Sequence, residues 1–444
     1  MRKHTVRLPS FWIRPIQAFL VSLVLSALWI FVLADAANEY RDTTGGAWTS
    51  SSTTANTHPT SSLENGKYLM RIGNCAACHT VTGGEPFAGG RAIDTPFGAV
   101  LSTNITPDPT QGIGRWTSDD FWRAMHHGKS KDGRRLSPAF PFTSFTQLSR
   151  EDTDAIFSYL QAQKSSSQAN APSPIQWPFH TQPALAVWRS LYFSPGENTH
   201  VALQTNENPT LIRGAYLVHG LGHCTQCHGT RNALGGLISH QTLAGAVLPG
   251  KAWYAPSLTN TKEAGPRSID ETASLLLTGA DRQGLRFVSG PMAEVVLQSS
   301  QYLRESDARA IALYLQSLTS LEPPPPRNKP AESTTSVSLR GAKIYDQHCV
   351  QCHGKQGEGI PNAYPALAGN RMLLMAHPNN AVLSVLHGGF APSTQANPRP
   401  YGMPPYLLQL TDADISSVLS FVRASWGNSA APITELEVHQ IRKP

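Results

Sequence analysis

All six cysteines of the 444-residue chain belong to three copies of one pattern: Cys75-Ala-Ala-Cys78-His79, Cys224-Thr-Gln-Cys227-His228 and Cys349-Val-Gln-Cys352-His353. Two thiols at that spacing can add across the two vinyl groups of one porphyrin, and the adjacent imidazole then binds the iron from one face. The C-x-x-C-H pattern therefore points to covalent haem c, three times over, with His79, His228 and His353 as proximal iron ligands. Other chemistries use paired cysteines. Zinc takes four ligands, often from two knuckles, and three separate motifs leave an awkward ligand count. A thioredoxin-like dithiol needs a βαβ setting, and none is readable here. Cysteines this close in sequence make poor disulfide partners.

A c-type haem in electron transfer usually takes a second axial ligand, and methionine sulfur raises its potential. The chain has seven methionines. Met403, in Tyr401-Gly-Met403-Pro404-Pro405, follows the third motif on a proline-stiffened loop before an amphipathic segment. Met292, in Gly290-Pro291-Met292-Ala-Glu294, is the one methionine of the second copy. Met372 and Met375 come too soon after the third motif, and Met1 lies in the N-terminal segment. The first copy breaks the pattern: Leu136-Ser-Pro138-Ala139-Phe140-Pro141-Phe142 has the small-residue and proline context, but Phe140 stands at the ligand position. Met70 precedes its motif and falls on the wrong side. Met125, His126 and His127 end a predicted helix from Asp119, and reach the iron only if that helix shifts. For the two histidines the plainer expectation is a solvated helix C-terminus.

These motifs sit in an internal repeat. Each copy opens with a glycine in an apolar helix: Gly66-Lys-Tyr68, Gly214-Ala-Tyr216 and Gly341-Ala-Lys-Ile-Tyr345. Each closes with an amphipathic helix carrying an aromatic residue at one place: Tyr159, Tyr314 and Phe421. Asp152, Asp307 and Asp412 fall at the starts of the closing helices, where they are expected to cap and to suit the dipole. The pattern predicts an all-α chain of three tandem class I cytochrome c domains at 60–165, 208–320 and 337–428. A connector (166–207) and a proline-rich linker (321–336, with Pro323 to Pro326) join them. The length alone suggests about three domains. Within the connector, Ala184 to Phe193 reads either as a helix packed between domains or as an interfacial helix touching lipid or a partner.

Residues 1–36 read as an export signal. Arg2, Lys3, Arg7 and Arg14 precede an apolar run from Ile16 to Leu33, and Ala34-Asp35-Ala36 is a small-x-small cleavage site. The run is also long enough for an uncleaved anchor. Export suits haem c, which is joined to apoproteins outside the cytoplasmic membrane. The formal charge is +6, partly owed to this segment. No basic run or Lys/Arg-rich helix speaks for a nucleic-acid partner.

The chain resembles the triple-haem cytochrome c subunits of bacterial membrane-bound dehydrogenases that oxidise alcohols, gluconate, sorbitol and related sugars. The resemblance is carried by Gly83-Gly84-Glu-Pro-Phe87-Ala-Gly-Gly90, Thr95-Pro-Phe-Gly98, Ser102-Thr-Asn-Ile-Thr-Pro-Asp108, Gly112-Ile-Gly114, Arg213-Gly-Ala-Tyr-Leu-Val218, Gly290-Pro-Met-Ala-Glu-Val-Val296 and Ser425-Trp-Gly-Asn428. It covers nearly all of the chain beyond the N-terminal segment. It implies a subunit that is not itself the enzyme. A partner with FAD or PQQ oxidises the substrate at the periplasmic face of the membrane, with room for a small third subunit. Electrons go to the three haems and on to ubiquinone or an oxidase. Met292 and Met403 are the distal ligands it implies. The family's first loop resembles Tyr-Pro-Ala-Met-Pro-Tyr, so Phe140 replaces its methionine. Its Cys-His-Thr-Pro-Arg reads Cys227-His228-Gly229-Thr230-Arg231 here. Two other functions fit the residues: a free-standing periplasmic electron shuttle, and peroxide or small-ligand chemistry at an open first haem.

Overall fold

The computed structural model describes residues 62–196, 208–238, 242–250, 252–259, 268–318 and 335–443. The expected export signal (1–36) and the Pro323 to Pro326 stretch lie outside the described residues.

The chain is mainly helical, and its repeats are built alike. An opening helix (Ser62–Ile72; Pro209–Ala215 continued by a π-helical turn, Tyr216–Leu221; Thr335–His348) runs into a short attachment helix carrying the C-x-x-C-H residues. A penultimate helix follows (Ser118–His127, Ile269–Thr278, Asn379–His387), then a closing helix (Arg150–Gln161, Glu305–Ser317, Asp412–Ala424). The expectation of an all-α chain needs one amendment. Three two-stranded antiparallel ribbons occur among the described residues, pairing Ala92↔Leu101, Ala246↔Ala255 and Gly389↔Met403.

Opening and closing helices cross at the glycines. A Cβ on Gly66 would lie 2.0 Å from the Ala155 carbonyl oxygen, on Gly214 2.1 Å from that of Ala310, and on Gly341 2.3 Å from that of Ser417. The aromatics Tyr159, Tyr314 and Phe421 pack at the same three contacts. Only a residue without a Cβ lets the backbones approach so closely.

Asp152, Asp307 and Asp412 stand in the first turns of the closing helices, as the dipole expectation has it, but they do not cap. Ser149 and Thr411 supply the N-cap oxygens, and Arg304 caps with no side-chain bond. The three aspartates instead reach out of their helices. Asp152 accepts from the Tyr216 hydroxyl at 2.6 Å, Asp307 from Tyr68 at 2.5 Å, and Asp412 is paired with Arg442 and His439. Tyr68 and Tyr216 hold equivalent places in the first two repeats, so these two repeats exchange one Tyr–Asp bond in each direction. They also share a single core, in which Leu69, Ile72 and Ile156 join Leu217, Leu221 and Tyr314. The third repeat has its own core, around Ile415 and Val422. A further helix, Glu435–Arg442, beyond the expected boundary at 428, seals it with Val438.

Burial alone would push the Asp307 carboxyl up, but the Arg213 fork at 2.8–2.9 Å and the Tyr68 hydroxyl outweigh it and hold the group below the ordinary carboxylate range. With the folded pKa below the unfolded one, its stabilisation is complete above the unfolded value and is lost as pH falls through the folded value. Asp307→Asn should therefore flatten the acid limb of stability against pH, followed by unfolding from about pH 5 down to about pH 2, below the ordinary carboxylate range. An unchanged slope would rule Asp307 out as the source.

The helix Gln182–Tyr192 is packed between repeats rather than presented as a free apolar face. Ala186 and Leu185 are buried, Arg189 lies over the rings of Phe142 and Phe193, and Trp188 Nε1 donates to the Leu234 carbonyl. The third repeat docks on the second through Asn380, whose side chain bonds the Tyr254 N–H and carbonyl, both at 2.8 Å. No described helix is long and apolar enough to cross a membrane.

Candidate haem sites

Each attachment helix ends at its histidine in the same cradle. Nδ1 of His79 lies 2.6 Å from the Thr103 carbonyl, that of His228 2.6 Å from Pro256, and that of His353 2.8 Å from Pro365. A carbonyl only accepts, so Nδ1 carries the proton and Nε2 keeps its lone pair for a metal. The histidine's own carbonyl accepts from a glycine N–H: Gly89, Gly245 and Gly359 at 2.8, 2.8 and 2.9 Å. These glycines have φ of 79°, 94° and 66°, and a Cβ on any of them would strike the segment that supplies the Nδ1 acceptor. The imidazole is thus held in one tautomer and one plane by backbone alone.

The thiols lack the lowered pKa of a redox dithiol. Burial, then the neighbouring cysteine, pushes Cys75 and Cys224 up to about 12 and Cys349 up to about 11. A reactive dithiol needs the opposite shift. No disulfide joins any of the six. Among the described residues no group of three or more His, Cys, Asp or Glu side chains could hold a metal ion, so the motifs do not converge into zinc sites. The donor set fits haem c: Cys75 and Cys78, Cys224 and Cys227, Cys349 and Cys352 as tethers, and Nε2 of His79, His228 and His353 toward iron.

On the distal side the three repeats again follow one plan. The penultimate helix ends on a glycine of positive φ (Gly128, Gly279, Gly388), and a short antiparallel bridge follows: Lys129↔Arg135, Ala280↔Phe287, Gly389↔Met403. The residue expected as distal ligand, or its replacement Phe140, stands in or shortly after this bridge. Met403 lies in the second strand of its ribbon, and a Cβ on Gly388 would meet the Met403 carbonyl at 2.2 Å. Met292 occupies the first turn of the helix Pro291–Gln298. Phe140 stands at the corresponding place in the first repeat, partly buried, its ring 5.5 Å from that of Phe145. Met70 and Met125 are buried in the core. His126 and His127 are not solvated as expected. They are 9% and 6% exposed, with His126 stacked on Trp122 at 4.4 Å and set edge-on to His127.

The sequence reading missed the acceptor carbonyls and the left-handed glycines, because neither is marked by a chemically active side chain. A faint signal exists: Thr103-Asn-Ile105, Pro256-Ser-Leu258 and Pro365-Ala-Leu367 share an apolar residue two places on, and each packs into a core.

The cytochrome c family model matches residues 63–164 and 338–426. The cytochrome c subunit of a quinone alcohol dehydrogenase from Gluconacetobacter polyoxogenes is 36% identical, over 86% of this chain and 84% of its own length. The gluconate 2-dehydrogenase cytochrome c subunit of Pantoea cypripedii is also 36% identical, over 86% and 89%. A nicotinate dehydrogenase subunit of Pseudomonas putida is 39% identical over 81% of this chain, but that span is 30% of its own length. With its repeated attachment motifs, and with dehydrogenase cytochrome c subunits 36% identical matched over 84% and 89% of their own length, this chain belongs to the cytochrome c subunits of bacterial dehydrogenases.

Proposed function

We propose that the chain is an electron-transfer subunit of three tandem class I cytochrome c domains, each with one covalent haem, working at the periplasmic face of the cytoplasmic membrane after export by its N-terminal segment. Its donor is a dehydrogenase subunit with FAD or PQQ that oxidises an alcohol, sugar, polyol or sugar acid. Its acceptor is ubiquinone or an oxidase, and a small third subunit completes the complex. The cradle repeated at His79, His228 and His353 carries this reading, because it treats the three motifs alike. Bound haem supplies one-electron chemistry. The chain supplies the rest: thiols that tether, backbone carbonyls that fix each imidazole, and the sulfurs of Met292 and Met403 to raise two of the potentials.

The purified holoprotein should carry three haems per chain, and Cys224→Ser/Cys227→Ser should carry two, read from the haem-to-protein ratio. A wild-type ratio of two or less would defeat the count. Mixed with a dehydrogenase encoded beside it, the protein should show substrate-dependent haem reduction, and failure with every such partner would defeat the assignment.

A further inference from the structure

We infer that Arg91 and Glu294 form a positioning latch by which the first repeat holds the Met292 helix in place. This rests on the reading of Met292 as a haem ligand. Arg91 is half-buried and stands in the first repeat, just before the first ribbon. Its Nη1 donates to the Ala77 carbonyl at 2.6 Å, inside the attachment helix Cys75–His79. The same guanidinium forks onto Glu294 of the second repeat, Nη2 to Oε2 at 2.9 Å and Nη1 to Oε1. Glu294 lies two residues beyond Met292 in the helix Pro291–Gln298. Two residues on a helix are roughly 200° apart around its axis. Glu294, bonded to Arg91, therefore faces the first repeat, and Met292 leaves the helix on a different side.

A second contact ties the far end of the same helix. Buried Ser299, its C-cap residue, donates its hydroxyl to the Ile72 carbonyl at 2.9 Å, at the end of the first opening helix. The helix that presents Met292 is thus fastened at two points to the repeat that binds the other haem. The reverse contact is neutral: Gln226 of the second attachment helix donates to Thr143 at 3.2 Å, and Ser144 meets Thr225 at 3.4 Å. An Arg–carboxylate fork fixes direction as well as distance. Its loss frees the first turn of the Met292 helix, and a sulfur held less firmly stabilises ferrous iron less.

The test uses the full-length holoprotein and the variants Arg91→Ala, Glu294→Ala and Met292→Ala. The readouts are a redox titration of all three haems and the weak red absorption band of Met-ligated ferric haem. With Met292 and Met403 as the two thioether ligands, Met292→Ala should remove about half of that band. Both latch variants should lower the same portion of the band. Both should shift one potential downward, and leave the Met403 haem unchanged. A purely electrostatic role predicts the opposite: removing a positive and a negative charge would move the potential in opposite directions, and that result overturns the latch. An unchanged band in both variants, with Met292→Ala halving it, overturns the latch alone. An unchanged band in Met292→Ala overturns the ligand assignment and the latch with it.

Discussion

Gly214→Ala is expected to destabilise the protein by about 3 kcal/mol, a fall in Tm on the order of 6–12 °C, whereas Gly220→Ala one turn and a half further on should be neutral or mildly stabilising. The two glycines lie in the same continuous helical run. A Cβ at 214 meets the Ala310 carbonyl oxygen at 2.1 Å and the Tyr314 Cβ at 2.7 Å, both parts of a packed closing helix that cannot yield without opening the crossing. A Cβ at 220 finds its nearest atoms, side chains of Leu148 and Gln147, at 3.6 and 3.7 Å, an ordinary contact. There alanine brings its helix propensity, worth up to about 1 kcal/mol over glycine. Gly66 and Gly341 should behave like Gly214. Equal effects at 214 and 220 in thermal unfolding of the holoprotein would show that close approach is not the reason for these glycines.

Phe140→Met is expected to give the first haem a sixth ligand, turning it from high-spin to low-spin and raising its potential toward those of the Met292 and Met403 haems. The wild-type ring offers iron no donor atom, and it packs against Phe145, at 5.5 Å between ring centres. The exchange is mild for packing, since methionine is flexible and near phenylalanine in volume, and should cost less than about 1.5 kcal/mol. Electron paramagnetic resonance or near-infrared magnetic circular dichroism separates the outcomes. Three low-spin haems with His/Met signatures in the unmodified protein would refute the proposal for Phe140. Peroxide reactivity that survives Phe140→Met unchanged would remove the case for small-ligand chemistry there.

The sequence made legible whatever is written in side-chain type and recurs. The cysteine motifs, the crossing glycines 66, 214 and 341 and the aromatics opposite them all stand in the structure at corresponding places. It concealed what depends on backbone or on distant pairing. The Thr103, Pro256 and Pro365 carbonyls have no residue signature, because any residue carries one. The roles of Asp152 and Asp307 were misjudged because a first-turn aspartate looks like a cap in one dimension, while its tyrosine partner comes from the other repeat. His126 and His127 looked solvated because polar residues usually end helices in water, and the stacking of Trp122 on His126 is tertiary information. Arg91 and Glu294 are 203 positions apart, and neither residue alone suggests the other.

The shared core of the first two repeats also sets where this molecule can be cut. Leu217, Leu221 and Tyr314 complete an apolar surface begun by Leu69, Ile72 and Ile156, so a gene fragment ending after the first repeat would leave that surface in water. The third repeat closes on itself with Val438 and Ile433. As a genetic unit the chain is two plus one. A fragment of two repeats and a fragment of the third are the natural modules for shuffling or fusion, and a lone first repeat is not.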